Sequence, residues 1–228
     1  MLVLGIDTAT QTGGVALLDE YALRGEYLLN VSATHSERLL GSIERLLLDA
    51  HCPKEDIDGI AVSIGPGSFT GLRIGVTVAK TLAWVWKCPV VGVSTLAALA
   101  RQGFGAQLIC PMIDARRKNV YAAVYSQDYQ TIRKPQYISV DSLVKFFQEQ
   151  QKTVVFLGDG VLKYGSILKE QLADLAVLAT VPNCLLRPAS VAYLGLESMR
   201  QGHRDDPSVL RPVYLRQSEA ERKCPSGM

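Results

Sequence analysis

Three groups of residues in this 228-residue chain have types and spacings that chemistry could use. The first is GPGSFTG, Gly65 to Gly71, between an apolar strand pattern and an apolar helical one. Backbone amides of such a loop, at the start of a helix, can hold an anion. No Lys-Ser or Lys-Thr pair follows the last glycine, so it is not a Walker A loop. No acidic residue ends the next strand near Val93, where a dinucleotide ribose would need one. The plainer reading is a tight turn that lets helices pack closely, with Ser68 as a helix N-cap. The second group is Asp7 and Asp114, each closing an apolar strand. Either could hold hydrated magnesium near phosphates, or accept amides of its own turn, the commoner task of Asp there. The third is Arg116-Arg117-Lys118, with Arg133 and Lys134. It could meet phosphate, or be a solvated hairpin tip.

Other chemistries lack their residues. His35, His51 and His203 are the only histidines, and none has a second His or Cys at ligand spacing. No GxSxG elbow presents a serine. The five cysteines (Cys52, Cys88, Cys110, Cys184, Cys224) are scattered and never spaced as CxxC. That pattern fits reduced thiols better than a disulfide frame or a zinc site. The net charge of +2 gives no global field for nucleic acid. No apolar run reaches the roughly 18 residues of a membrane span. MLVLGID lacks a basic n-region, so no signal peptide is expected and the expected location is cytoplasmic.

The elements that must position these residues come as a repeat. LVLGID, the turn TATQTG and GVALLD are matched by LICPMID, ARRKN and VYAAVYS. Asp7 and Asp114 hold equivalent places, and a third extended segment follows in each half. A repeat of this length points to duplicated domains rather than a solenoid. Strands alternating with helices give an α/β fold. Thr34-His35-Ser36-Glu37 fits a capping box for a helix to about Ala50. ASVAYLGLESMRQG closes with a helix whose C′ residue is Gly202. The expected division is an N-terminal, partner-binding lobe over 1–105 and a C-terminal lobe over 106–217. The last helix is free to pack back on the first lobe. A polar, mobile tail is expected over 218–228.

After Gly71 the helix LRIGVTVAKTLAWVWK carries only Arg73, Lys80 and Lys87 as charges. A surface helix normally keeps a polar stripe. This one is expected to be buried on more than one side, with another protein as one cover. Gly71, Gly75, Ala79 and Ala83 form a small-residue stripe that would admit a close helix neighbour.

GIDTAT, THSERLL, IAVSIGPGSFTGLRIG, VGVSTLAALA and PVYLR together resemble the TsaB (YeaZ) family, and these motifs span most of the chain. The resemblance implies an actin/Hsp70-type (ASKHA) fold of two related lobes, each a mixed sheet with packed helices. It implies a non-catalytic subunit that supports TsaD, with the ATPase TsaE, in threonylcarbamoylation of the adenosine 3′ to the anticodon of tRNAs reading A-starting codons. TsaD-like chains carry a metal-binding Asn-His-Leu-Glu-Gly-His where this chain has Ser94-Thr95-Leu96-Ala97-Ala98-Leu99. The two ligand positions are then Thr95 and Leu99, and neither side chain replaces an imidazole. Gly158-Asp159-Gly160 resembles a weak remnant of a nucleotide-holding turn.

The expectations follow: no catalytic residue, no metal, no tightly bound cofactor, and room for a nucleotide at the TsaD junction. The partners would be TsaD and TsaE, a second copy when alone, tRNA only through the complex, and no membrane. The contact would use the helices beginning at His35 and Gly71, through His35, Leu39, Ile43, Phe69, Leu72, Arg73, Gly75, Val76 and Ala79. On that expectation Gly75→Arg or Val76→Glu would give a folded monomer that no longer binds TsaD. The other class of reading is a small kinase of the same superfold, or a metallopeptidase-like hydrolase. A kinase would need a general-base carboxylate and an adenosine pocket.

Overall fold

Apolar residues over Val3–Asp7 (β1) and Thr12–Leu18 (β2) form an antiparallel pair that sets Asp7 opposite Gly14. Every residue of β1 is buried, which is why it reads as a continuous apolar run. Leu23–Asn30 (β3) adds antiparallel to β2. Gly59–Gly65 (β4) pairs parallel with β1, and Val90–Ser94 (β5) parallel with β4. The first sheet therefore has the order β3-β2-β1-β4-β5. The second uses Leu108–Asp114 (β6), Asn119–Ser126 (β7), Thr131–Ser139 (β8), Val154–Leu157 (β9) and Ala176–Leu178 (β10). Its order is β10-β9-β6-β7-β8. Each half places its first strand at the centre, its hairpin on one side and its parallel strands on the other. The repeat in the sequence is a repeat of topology. The computed structural model describes residues 1–30 and 35–216, and of residues 35–37 the backbone alone. The Thr34 cap and the tail from Ser218 lie outside the described residues.

Six α-helices cover the sheets among the described residues: α1 (His35–Asp49), α2 (Phe69–Trp86), α3 (Thr95–Ala100), α4 (Val140–Gln150), α5 (Asp159–Leu172) and α6 (Pro188–Arg200). α1 and α2 pack on one face of the first sheet, around Leu4, Ile6, Val15, Leu17, Ile60 and Val62. α4 and α5 pack likewise on the second sheet, around Cys110, Met112, Val124 and Phe156. The two inner faces share one apolar cluster. It runs from Val3, Ala61 and Val91 through α6 and α3 to Ile109, Ile113, Ala123, Val155 and Leu157.

α6 follows the second sheet in sequence but packs on the first, against β1, β2, β4 and β5. Glycines allow the approach. A Cβ on Gly5 would lie 2.6 Å from the Pro188 carbonyl oxygen, and one on Gly195 would lie 2.2 Å from the Ala61 Cβ. Polar bonds fix the docked helix. Arg187 ion-pairs with Glu26, whose carboxylate is almost fully buried, and the Ala189 amide donates to Glu26 Oε1 at 2.9 Å. No described helix is long and apolar enough to cross a membrane.

This packing makes a direct prediction. Gly195→Val should destabilise the protein by roughly 1–3 kcal/mol through overpacking, lowering the melting temperature by several degrees. Gly41→Ala, with nothing within 4 Å of the added carbon, should leave it unchanged or slightly raised. Thermal denaturation of the two variants checks both. A Gly195→Val protein melting with the wild type would refute the close contact.

Candidate functional site

α2 begins at Phe69, two residues before the expected start, because Ser68 caps it: its Oγ accepts the Gly71 amide at 3.2 Å. The GPGSFTG loop is therefore a tight turn. Its small residues serve the chain's own packing, which corrects the expected helix–helix role. A Cβ on Gly71 would lie 2.0 Å from the Thr8 carbonyl oxygen, and one on Gly75 would lie 2.3 Å from Thr8 Oγ1. Thr8 Oγ1 also donates to the Gly71 carbonyl at 2.7 Å. Gly71 and Gly75 pack on the turn after β1, and Ala79 and Ala83 lie in the apolar cluster beneath α1 and α2.

The same burial corrects most of the expected contact residues. Leu39, Ile43, Leu72, Val76 and Ala79 are all buried, four of them in the cluster beneath α1 and α2. Gly75 is buried as well. None of these can present a surface while the fold is intact. Val76→Glu and Gly75→Arg would therefore damage the fold itself, contrary to expectation. The side chain of His35 lies outside the described ones. Phe69 and Arg73 remain accessible, held as a unit. Phe69 stacks on Tyr214 with ring centroids 4.3 Å apart. The Arg73 guanidinium lies 4.0 Å over the Phe69 ring, and its Nε donates to the Tyr214 hydroxyl at 3.2 Å.

The outward face of α2 holds Thr70, Arg73, Thr77, Thr81, Trp84 and Val85, with Ile74 and Val78 half-buried beside them. Trp84 is 79% exposed. Nothing in the described chain covers this face. The signal was present in the sequence: Thr70, Arg73, Thr77 and Thr81, at three- and four-residue spacing, are the helix's polar stripe, with a single charge. α1 packs beside α2 and exposes Leu40 and Leu48.

The strand-end aspartates serve their own turns. Asp7 is buried, and its Oδ1 accepts the Ala9 amide at 3.1 Å and the Ser63 hydroxyl at 2.5 Å. Asp114 Oδ1 accepts the Arg116 amide at 2.9 Å and the Tyr164 hydroxyl at 2.9 Å; its Oδ2 meets Lys163 Nζ at 2.8 Å. Burial alone would raise the Asp114 carboxyl. Lys163, the Arg116 amide and Tyr164 outweigh it and hold the group below its ordinary range. Asp159, at the start of α5, accepts the Asp114 amide at 2.8 Å. Burial, with the Asp114 charge beside it, pushes its carboxyl up to about 6. Sequence reading had no means to find this pairing across 45 residues.

The positions compared with metal ligands do not fit a metal. Thr95 and Leu99 sit on α3 with their side chains buried, and Leu99 belongs to the cluster shared by the sheets. His51 and His203 are exposed and far apart in sequence, and the described residues hold no group of three metal-ligating side chains. At the strand ends and at the turn compared with a nucleotide-holding one, the chain makes close contacts with itself. In open α/β sheets ligands sit outside the carboxyl ends of the strands. Here the C-terminal segment crosses that edge. The Val213 amide donates to the Ile64 carbonyl at 2.7 Å, and Arg216 Nη1 donates to the Ala115 carbonyl at 3.4 Å. At Gly158-Asp159-Gly160, a Cβ on Gly158 would lie 2.2 Å from the Met112 carbonyl oxygen, so the turn is packed closely on β6.

Comparison with known proteins finds one family over nearly the whole chain. A family model described as TsaD, tRNA N6-adenosine threonylcarbamoyltransferase, matches residues 29–224. The chain is 35% identical over 227 residues to the tRNA threonylcarbamoyladenosine biosynthesis protein TsaB of Bacillus subtilis, covering 98% of this chain and 97% of that one. It is 30% identical over 240 residues to the TsaB protein of Escherichia coli, covering 99% of each. YeaZ from Pseudomonas aeruginosa superposes with a TM-score of 0.76 at 26% identity, over 94% of this chain and 99% of that one. A ROK hexokinase from Thermus thermophilus shares the fold alone, with a TM-score of 0.52 at 13% identity over 87% of this chain and all of the hexokinase.

The Asp114–Asp159 pair makes stability depend on pH in two opposite senses. Asp114 is depressed in the folded state, so its contribution is present above pH 4 and lost as pH falls through its folded value. Asp159 is raised to about 6, so the folded state binds the extra proton and stability falls as pH rises from about 4 to 6. Asp159→Asn keeps an acceptor for the Asp114 amide and removes the second effect. It should gain up to about 3 kcal/mol over the wild type at pH 8, and little or nothing at pH 4. Urea midpoints at the two pH values check this; an equal difference at both would refute it.

Proposed function

The chain belongs to the TsaB family of tRNA threonylcarbamoyladenosine biosynthesis proteins, and we propose that it acts there as a non-catalytic subunit that binds and supports TsaD. The observation that carries this reading is the uncovered outer face of α2. Its inner face fills the core, yet Trp84, Val85, Ile74 and Val78 lie on or beside a face that the described chain leaves open. Large apolar surface of this kind marks contact sites. α1 supplies Leu40 and Leu48 alongside. Phe69 and Arg73, clamped by Tyr214, present a preorganised aromatic–cation pair at the start of the same helix. Residues of these types anchor interfaces. The same face would pair with a second copy about a two-fold axis when TsaD is absent. TsaE would join the complex, and tRNA would reach it through TsaD.

Support for a silent subunit comes from what the polar residues already do. Asp7 and Asp114 accept their own turns' amides, and Thr95 and Leu99 are core residues. The reading predicts that the isolated protein retains no stoichiometric metal and transfers no threonylcarbamoyl group. One equivalent of iron or zinc after chelator-free purification would favour the enzyme reading instead.

The contact itself is tested by exposed and buried neighbours on one helix. Thr77→Glu and Trp84→Glu should leave the melting temperature within a few degrees, since substitutions at the surface cost little. Each should weaken co-elution with TsaD at least tenfold. Val76→Glu should instead fail to fold, because it buries an unpaired charge. Folded Thr77→Glu and Trp84→Glu proteins that both bind TsaD as the wild type does would overturn the assignment.

A further inference from the structure

The hairpin between β6 and β7 turns on residues that do not favour its geometry. Arg116, Arg117 and Lys118 have φ of 65°, 54° and 58°. Left-handed backbone suits glycine, asparagine or aspartate, whose side chains are absent or short. Three long basic residues in succession strain the turn. Its backbone is nonetheless fixed: the Ala115 amide donates to the Asn119 carbonyl at 3.0 Å, and the Asn119 amide to the Arg116 carbonyl at 3.1 Å. The three side chains are exposed, and none forms an ion pair with a carboxylate among the described residues. The carboxylate at the foot of the hairpin, Asp114, is already neutralised by Lys163 at 2.8 Å.

Arg216 arrives beside the tip from the other end of the chain. It bonds the Ala115 carbonyl, and its guanidinium lies 5.2 Å over the ring of Tyr137. Tyr137 is partly exposed, and its ring centroid is 5.9 Å from that of Tyr121 across the β7–β8 pair. Four cations and two aromatic rings therefore gather at one end of the second sheet, while the whole chain carries only +2.

We propose that Arg116, Arg117, Lys118 and Arg216, with Tyr137 beside them, form a docking surface for the phosphate backbone of RNA. The inference rests on the chain's place in tRNA modification and adds a direct contact to it. Lysines and arginines neutralise phosphates and release counterions. An exposed ring next to them offers a base or ribose a stacking face. The strained turn holds the three charges at a fixed point at no further ordering cost to its backbone.

The test uses the full chain, an unmodified tRNA transcript as the probe, and TsaD co-elution in parallel. Replacing Arg116, Arg117 and Lys118 together by Gln should raise the Kd for tRNA at least tenfold at about 50 mM salt. The slope of log K against log salt should flatten by about 2, at about 0.7 to 0.9 per lost phosphate contact. The TsaD co-elution should not change. A control replacing Lys54, Lys145 and Lys152 by Gln removes the same charge elsewhere and should leave the affinity within about twofold. Arg216→Gln, which leaves the turn alone, should weaken binding about threefold and serves if the triple variant does not fold. Unchanged affinity in the tip variants, an equal loss in the control, or no tRNA binding by the wild type would each overturn the proposal. So would loss of TsaD binding with tRNA affinity intact, which would assign the surface to a protein. A wild-type chain that binds tRNA but not TsaD would instead fell the reading under Proposed function.

Discussion

The apolar cluster between the two sheets decides what kind of machine this molecule can be. Two-lobed α/β proteins of this architecture include enzymes such as the hexokinase that shares the fold. Domain closure around a ligand is a common way for such lobes to work. Here α3 and α6 fill the space between the inner faces with Leu96, Leu99, Val191, Leu196 and Met199. Opening the lobes would expose that surface to water, at roughly 25 cal/mol for each Å² of apolar area. Polar staples reinforce the joint. The Arg101 guanidinium lies 4.4 Å over Tyr129 and 5.5 Å over Tyr193, and bonds Glu197 at 3.0 Å. The Gln102 amide donates to the Leu185 carbonyl at 2.8 Å and accepts from the Arg187 amide at 3.0 Å. A body braced this way resists hinge motion between its two sheets.

Much of the fold was legible because its signals are local. Alternation in LVLGID and LICPMID, with a terminal aspartate and a polar turn, needs no tertiary information to be read as strand and hairpin. Asp7 and Asp114 accept the amide two residues on, the ordinary task the sequence allowed them. The capping by Ser68 was legible for the same reason. The facing of α2 was not. Leu72 and Val76 differ little in chemistry from Ile74 and Val78, and only the position of Thr8 and the first sheet decides which pair is buried. Counting charges hid the threonine stripe that marks the outer side. Asp159 and Arg216 were out of reach because their surroundings come from segments 45 and 101 residues away.

The two ends of the C-terminal segment bind opposite halves of the molecule. Tyr214 stacks on Phe69 of the first lobe, while Arg216 bonds Ala115 of the second. The face proposed for TsaD and the basic hairpin proposed for RNA are thus joined by the short stretch from Tyr214 to Arg216. Neither depends on a ligand for its shape, since both are anchored by bonds already present in the free protein.

The position of α6 also dictates an order of events at the ribosome. The inner face of the first sheet is complete at Ser94 and α3 follows at once, yet α6, the helix that packs across β1, β2, β4 and β5, begins only at Pro188. At about 5–20 residues per second, the gap leaves Val3, Ala61 and Val91 without their helix for several seconds of synthesis. The N-terminal half cannot reach its final packing as an independent unit while the chain grows. It waits for the second sheet to be made and for the chain to return. Nascent copies therefore carry an incompletely covered apolar sheet face until α6 has been made and has returned to it.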